Sequence, residues 1–66
     1  MDTSDQGNIK FLRMAQVREL TTMGRSTILE RVARGEFPKP VRLSPQTRVW
    51  VAGEVDRWMS QQAATR

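Results

Sequence analysis

Arginines and short hydroxyl side chains make up most of the residues in this chain that could take part in chemistry. The 66-residue sequence contains 11 Lys and Arg residues, 7 acidic residues, and neither Cys nor His. Thiolate and imidazole metal ligands are therefore missing, and so is the commonest general base of enzymes. This composition predicts no metal site, no cofactor and no catalytic activity. What remains is the chemistry of guanidinium groups, which bind phosphate and carboxylate oxygens.

The positive charge is concentrated in the middle of the chain. Six basic and two acidic residues lie between Arg25 and Arg48, so this segment alone carries a net charge equal to the +4 of the whole sequence. A basic stretch of this kind indicates a polyanionic partner such as a nucleic acid. The alternative is a well-solvated basic surface, which is common in soluble proteins.

The length of the chain predicts one small domain with a thin core. The polar residues 1–8 predict a flexible N-terminal arm, residues 9–62 the folded domain, and residues 63–66 a flexible C-terminal tail. No apolar run reaches the ~20 residues of a membrane span, and the polar N-terminus is unlike a signal peptide. A cytoplasmic protein without membrane contact is the simplest expectation.

Apolar spacing predicts two short helices in the first half of the chain. Met14, Val17 and Leu20 recur every three residues, and the following threonines favour a turn. A second helix is expected between an N-cap at Gly24 and a C-cap at Gly35. Its apolar stripe comprises Ile28, Leu29 and Val32. Two helices joined by about four residues form a helix-turn-helix pattern, which is a weak signal on its own.

The outer face of the second helix carries polar and charged side chains. Opposite its apolar stripe lie Ser26, Thr27, Glu30, Arg31 and Arg34. A helix in the major groove contacts bases mainly through its N-terminal half, where hydroxyls and arginines pair with base edges. Arg25, in the open first turn, is expected to reach a phosphate. The alternative for this face is a solvated helix exterior.

A basic hairpin is predicted after the second helix. Pro40 opens an extended run in which Val41 and Leu43 alternate with Arg42 and Ser44, and a turn at "SPQT" leads to a second run from Thr47 to Val51. Lys39, Arg42 and Arg48 would then form a DNA-binding wing. Such a wing can lie along the backbone or enter the minor groove beside the recognition helix. The helix and the wing would thus contact adjacent parts of one duplex.

Two tryptophans are predicted to lie in the core. Alternation with inward-facing Val49 and Val51 would turn Trp50 outward, so we expect a bulge or the strand end to return it to the core. The last helix is predicted from Glu54 to Gln61, with Gly53 as its cap and Trp58 on its apolar side. The complete fold is predicted as α+β, a small winged helix-turn-helix with the order helix, helix, β-hairpin wing, C-terminal helix.

Residues 11–59 resemble the AlpA-type prophage regulators and the small excisionases related to them. The residues that carry the resemblance are Phe11-Leu12-Arg13, Arg25-Ser26-Thr27-Ile28, "GEFPKPV" from Gly35, Trp50, Glu54-Val55 and Trp58. The resemblance implies a MerR-like winged helix that binds DNA, with recognition positions at Arg25, Ser26, Thr27 and Arg31. The sequence departs from the family pattern at three positions. Thr22 replaces the usual Gly, Gly24 the usual Ser and Leu29 the usual Tyr.

The combined expectation is a sequence-specific protein that binds double-stranded DNA and acts as a transcriptional regulator, an excisionase, or both. The sequence does not decide whether the protein contacts an integrase or self-associates on DNA. The competing hypothesis is a small interaction module that docks on an acidic partner protein. RNA binding is disfavoured because the chain has no Tyr and only two Phe residues for base stacking.

Overall fold

The computed structural model describes residues 9–66, and in this range three helices surround a small antiparallel sheet. The elements in chain order are β1 (Phe11–Leu12), α1 (Met14–Thr21), α2 (Arg25–Ala33), β2 (Val41–Ser44), β3 (Thr47–Val51) and α3 (Ala52–Ala64). This confirms the predicted α+β fold, with a helix-turn-helix, a hairpin and a C-terminal helix. The predicted arm, residues 1–8, lies outside the described residues.

The turn between α1 and α2 contains an unusual backbone conformation. Helix α1 is followed by its C-cap residue Thr22, whose N–H donates to the carbonyl oxygen of Arg18 at 2.8 Å. Thr22 has a φ of 63°, in the left-handed region. β-Branched residues adopt this conformation only with strain, because the side chain crowds the backbone. The turn therefore holds a local strain that a glycine would not have.

The two predicted glycines flank α2, although the C-cap position predicted for Gly35 is held by Arg34. Gly24 is its N-cap residue, as expected. At the other end Gly35 has a φ of 74° and follows the C-cap residue Arg34. The N–H of Gly35 donates to the carbonyl oxygen of Val32 at 3.1 Å, and the N–H of Glu36 donates to the carbonyl oxygen of Arg31 at 2.8 Å. These two hydrogen bonds form a Schellman motif. The left-handed glycine thus turns the chain away from the helix.

The sheet has the order β1-β3-β2, so β3 is the central strand. Phe11 pairs with Val51 and Leu12 with Trp50, while Val41 pairs with Val49 on the other edge. The short strand β1 was absent from the sequence-based expectation, since two residues show no periodicity. The order brings the segment before α1 beside the hairpin.

Trp50 is in the core, as predicted, but for a different reason. It is 1% exposed and packs with Val17, Ile28, Phe37 and Val55. Its Nε1–H donates to the carbonyl oxygen of Pro38 at 2.9 Å. Of the two causes expected, a bulge in its own strand or the strand end, the bulge is wrong, because the register shift lies in β2 between Arg42 and Ser44.

Alternation along β3 is enough to bury Trp50. Its partner Leu12 packs against the same core, so the face of β3 that bears Trp50 is the core side. Val49 is buried as well, although alternation places it on the opposite side of the sheet. Val49 is not part of the core cluster that contains Trp50.

The last helix begins earlier and ends later than predicted. Its N-cap is Val51 rather than Gly53, because β3 leads directly into the helix and the N–H of Ala52 donates to the carbonyl oxygen of Lys10 at 2.8 Å. The helix continues to Ala64, past the domain boundary expected at residue 62. Within residues 9–66 no helix has the length and apolar character needed to cross a membrane.

Candidate nucleic-acid interface

The first turns of α2 present an exposed polar surface. Ser26, Thr27 and Glu30 are exposed, whereas Ile28 on the opposite side is fully buried. Arg25 is exposed too, as expected for a residue of the open first turn. The N-terminal half of α2 therefore has the side chains and the exposure that base contacts require.

The C-terminal half of α2 is partly neutralised. Arg34 Nη2 lies 2.9 Å from Glu30 Oε2, and both side chains are 61% exposed. An exposed pair one turn apart contributes little to stability. It does bring a negative charge next to a predicted DNA-binding arginine. It is the only ion pair among residues 9–66.

The hairpin carries two arginines directly opposite each other. Arg42 on β2 pairs with Arg48 on β3, and both side chains are exposed. Like charges at directly opposed positions weaken strand pairing by up to about 1 kcal/mol. A bound polyanion would offset this repulsion. The predicted wing arginines therefore project as a pair from one face of the hairpin.

A cleft of about 530 Å³ lies between the N-terminal ends of α1 and α2 and the turn of the hairpin. We call it the cationic cleft. Its lining residues are Arg13, Met14, Ala15, Arg25, Leu29, Pro45, Gln46, Thr47, Arg48 and Trp50. No lining residue from the described part of the chain is acidic. The structure thus brings the predicted residues Arg25 and Arg48 to one surface and adds Arg13, which sequence reasoning had not placed in the site.

A second cleft, of about 870 Å³, has mixed charge and shares no lining residue with the first. We call it the mixed-charge cleft. Its charged and aromatic lining residues are Arg31, Glu36, Phe37, Lys39, Glu54, Arg57 and Trp58. Two residues predicted for the interface, Arg31 and Lys39, lie here. Lys39 precedes β2 and is not on a hairpin strand, and Arg31 is half-buried.

No metal site is evident in the described part of the chain. Among residues 9–66, no three or more His, Cys, Asp or Glu side chains form a group that could hold an ion. The polar groups of the cationic cleft are guanidinium, amide and hydroxyl groups, whereas those of the mixed-charge cleft also include the carboxylates of Glu36 and Glu54.

Sequence comparison supplies the family. The family model of the prophage CP4-57 regulatory protein (AlpA) matches residues 10–63. The chain belongs to this family. The resemblance inferred from the sequence motifs is thereby confirmed. An uncharacterized protein of Enterobacteria phage P4, ORF88, is 40% identical over 57 residues, which cover 86% of this chain and 65% of ORF88. The chain thus spans slightly less than two thirds of that relative.

The structure shows where two of the departures from the family pattern lie. The usual glycine is replaced by Thr22, the residue with the left-handed φ of 63°. A glycine adopts that conformation without steric cost, which explains why it suits this position. Leu29, in place of the usual tyrosine, lines the cationic cleft beside Arg25. Leu29 is not one of the residues of the core cluster.

Proposed function

We propose that this AlpA-family chain is a prophage regulatory protein that binds double-stranded DNA in a sequence-specific manner. One observation carries the proposal. The N-terminal half of α2 and the turn of the hairpin line the same cleft, which has three arginines and no acidic residue from the described part of the chain. Helix and hairpin can therefore contact adjacent parts of one polyanion.

The interface divides into base contacts and backbone contacts. Ser26 and Thr27, exposed in the first turn of α2, enter the major groove and read base edges. Glu30 and Arg34 lie further along the same helix and act there as a hydrogen-bonded pair. Arg25, Arg42 and Arg48 hold the backbone, and the hairpin follows it or enters the minor groove.

Arg31 and Lys39 have a smaller role in this proposal than the sequence suggested. Both line the mixed-charge cleft, where Glu36 and Glu54 reduce the local positive potential. We assign them peripheral contacts with the backbone. Their loss should therefore weaken binding less than the loss of a residue in the cationic cleft.

At the level of biology, we propose that the protein acts in the cytoplasm on phage DNA, as a transcriptional regulator, an excisionase, or both. Each of these roles requires the same recognition of a specific duplex. Excision would in addition require contact with an integrase or a second copy of the chain on DNA. The protein is proposed to have no catalytic activity of its own.

The test is a titration of duplexes from the promoter and attachment regions of the prophage against scrambled duplexes of equal length. We expect Thr27→Ala to lower the ratio of specific to scrambled affinity roughly tenfold, the effect of losing one base contact. Arg48→Gln should weaken both duplexes about equally, because a phosphate carries no sequence information.

Equal affinity of the wild-type chain for every duplex would contradict sequence-specific recognition. If an acidic polypeptide then competed as well as DNA at matched charge, the interaction-module hypothesis would be supported instead. Circular dichroism of each variant shows whether the domain remains folded.

A further inference from the structure

We propose that Arg13, Arg25 and Arg48 together form one binding site for a single phosphodiester group of the duplex backbone. This inference rests on the proposed function and adds Arg13 as a phosphate-binding residue. The site lies in the cationic cleft, and its ligand is recognised by its charge and its oxygen acceptors.

The three arginines come from three different elements. Arg13 immediately precedes α1, Arg25 is the first residue of α2, and Arg48 lies on β3. All three are exposed and line one cleft of about 530 Å³. Each guanidinium group has five N–H donors and no acceptor, which suits it to phosphate oxygens. Within residues 9–66 none of the three forms an ion pair.

Arg13 occupies a position where helix stability would favour another residue. It is the N-cap of α1, yet its side chain has no oxygen to accept from the free N–H groups of the first turn. The cap is supplied in part by Gln16, whose Oε1 accepts from the N–H of Arg13 at 2.9 Å. A cation at a helix N-terminus is also disfavoured by the helix dipole.

Arg25, the first residue of α2, is likewise a cation at a helix N-terminus, and Arg48 is opposed by Arg42 across the hairpin. Each of the three arginines around this cleft therefore occupies a position that its local structure disfavours. Local conflicts of this kind concentrate at functional sites, where a ligand compensates them. An anion bound between the three guanidinium groups would remove their mutual repulsion.

The position of the cleft favours a backbone phosphate over a carboxylate of a protein partner. Arg25 is followed directly by Ser26 and Thr27, the residues proposed to read bases. Phosphate contacts fix the register of a recognition element on the duplex. A phosphodiester held at the cleft would therefore set how deeply the first turn of α2 enters the groove.

The experiment combines variants of the full chain with duplexes in which one linkage at a time is a neutral methylphosphonate. In the wild-type chain, we expect neutralisation of one particular linkage to weaken binding about tenfold, the order expected for a charge-assisted hydrogen bond. In Arg13→Gln, Arg25→Gln and Arg48→Gln, sensitivity should fall severalfold at that same linkage. Arg13→Lys, which keeps the charge, should recover much of it.

Arg57→Gln is the matched control, because it removes one exposed positive charge from the mixed-charge cleft. It should keep the full wild-type sensitivity at every linkage. Thermal unfolding of each variant verifies the fold. If Arg13→Gln proved unfolded, Arg13→Lys and Arg13→Met would be compared in its place.

The outcomes separate the inference from the proposed function. If Arg13→Gln bound the specific duplex and was as sensitive to neutralised linkages as the wild-type chain, the phosphate site would be overturned and the proposed function would stand. If the three variants lost sensitivity at different linkages, a site shared by the three arginines would be overturned. Failure of the wild-type chain to bind any duplex would overturn both. Saturation of the cleft by micromolar inorganic phosphate without DNA would identify a free-anion site and overturn the assignment to the backbone.

Discussion

The cationic cleft and the mixed-charge cleft contain equal numbers of basic residues, yet their electrostatic character differs. The first has Arg13, Arg25 and Arg48 and no acidic lining residue from the described part of the chain. The second has Arg31, Lys39 and Arg57, together with Glu36 and Glu54. A count of basic residues therefore does not distinguish the two clefts, whereas the positions of the acidic residues do.

The two clefts also differ in how they contribute to the fold. In the mixed-charge cleft, Trp58 Nε1–H donates to the carbonyl oxygen of Glu36 at 2.8 Å. Its ring meets that of Phe37 edge to face, with centroids 4.8 Å apart. These contacts tie α3 to the segment that follows α2. The mixed-charge cleft therefore serves packing, and the cationic cleft is proposed to serve binding.

The largest effect is expected from Trp58→Ala. It removes the contact with Phe37 and the hydrogen bond to Glu36, at a cost of about 3 kcal/mol in the free energy of unfolding. This is a large fraction of the stability of a small domain. Urea or thermal unfolding measures it. Trp58→Phe, which keeps the ring and loses the N–H, should cost only about 1 kcal/mol. An unchanged unfolding curve for Trp58→Ala would mean that the mixed-charge cleft has no packing role.

The next effect concerns charge and compares two double variants of equal charge. Arg25→Gln with Arg48→Gln should weaken duplex binding by roughly 2 to 3 kcal/mol, because two charge-assisted hydrogen bonds are lost. Lys39→Gln with Arg57→Gln removes the same charge next to Glu36 and Glu54, and should weaken binding by less than about 1 kcal/mol. Both are measured by fluorescence anisotropy at constant ionic strength. Equal losses would show that net charge alone governs binding and that the clefts are equivalent.

The smallest effect is expected in the turn that joins α1 to α2. Thr22→Gly removes the strain of a β-branched residue at a φ of 63° and should stabilise the domain by about 1 kcal/mol. Thr21→Gly is the matched control. It should destabilise the domain by about the same amount, because it places glycine in the helix and loses the hydrogen bond from Thr21 Oγ1 to the carbonyl oxygen of Val17. Calorimetry measures both. A destabilised Thr22→Gly would contradict the inferred strain.

The order of the elements could be read from the sequence because the signals for it are local. Apolar spacing predicted α1, and Gly24 and Gly35 predicted the ends of α2. The extended runs on either side of "SPQT" predicted β2 and β3, although β2 begins at Val41 rather than at Pro40. Each signal depends on steric and hydrogen-bonding preferences within a few residues. The motifs within residues 11–59 also predicted the family correctly.

The tertiary structure alone decided which distant residues meet. The pairing of β1 with the central strand shows why Trp50 faces the core. In the folded domain Arg13 and Arg48 line one cleft, whereas Arg31 and Lys39 line another. Such contacts join residues far apart along the chain, and no preference of a short segment encodes them. They follow from how the whole sheet and its helices pack, which is a property of the complete domain.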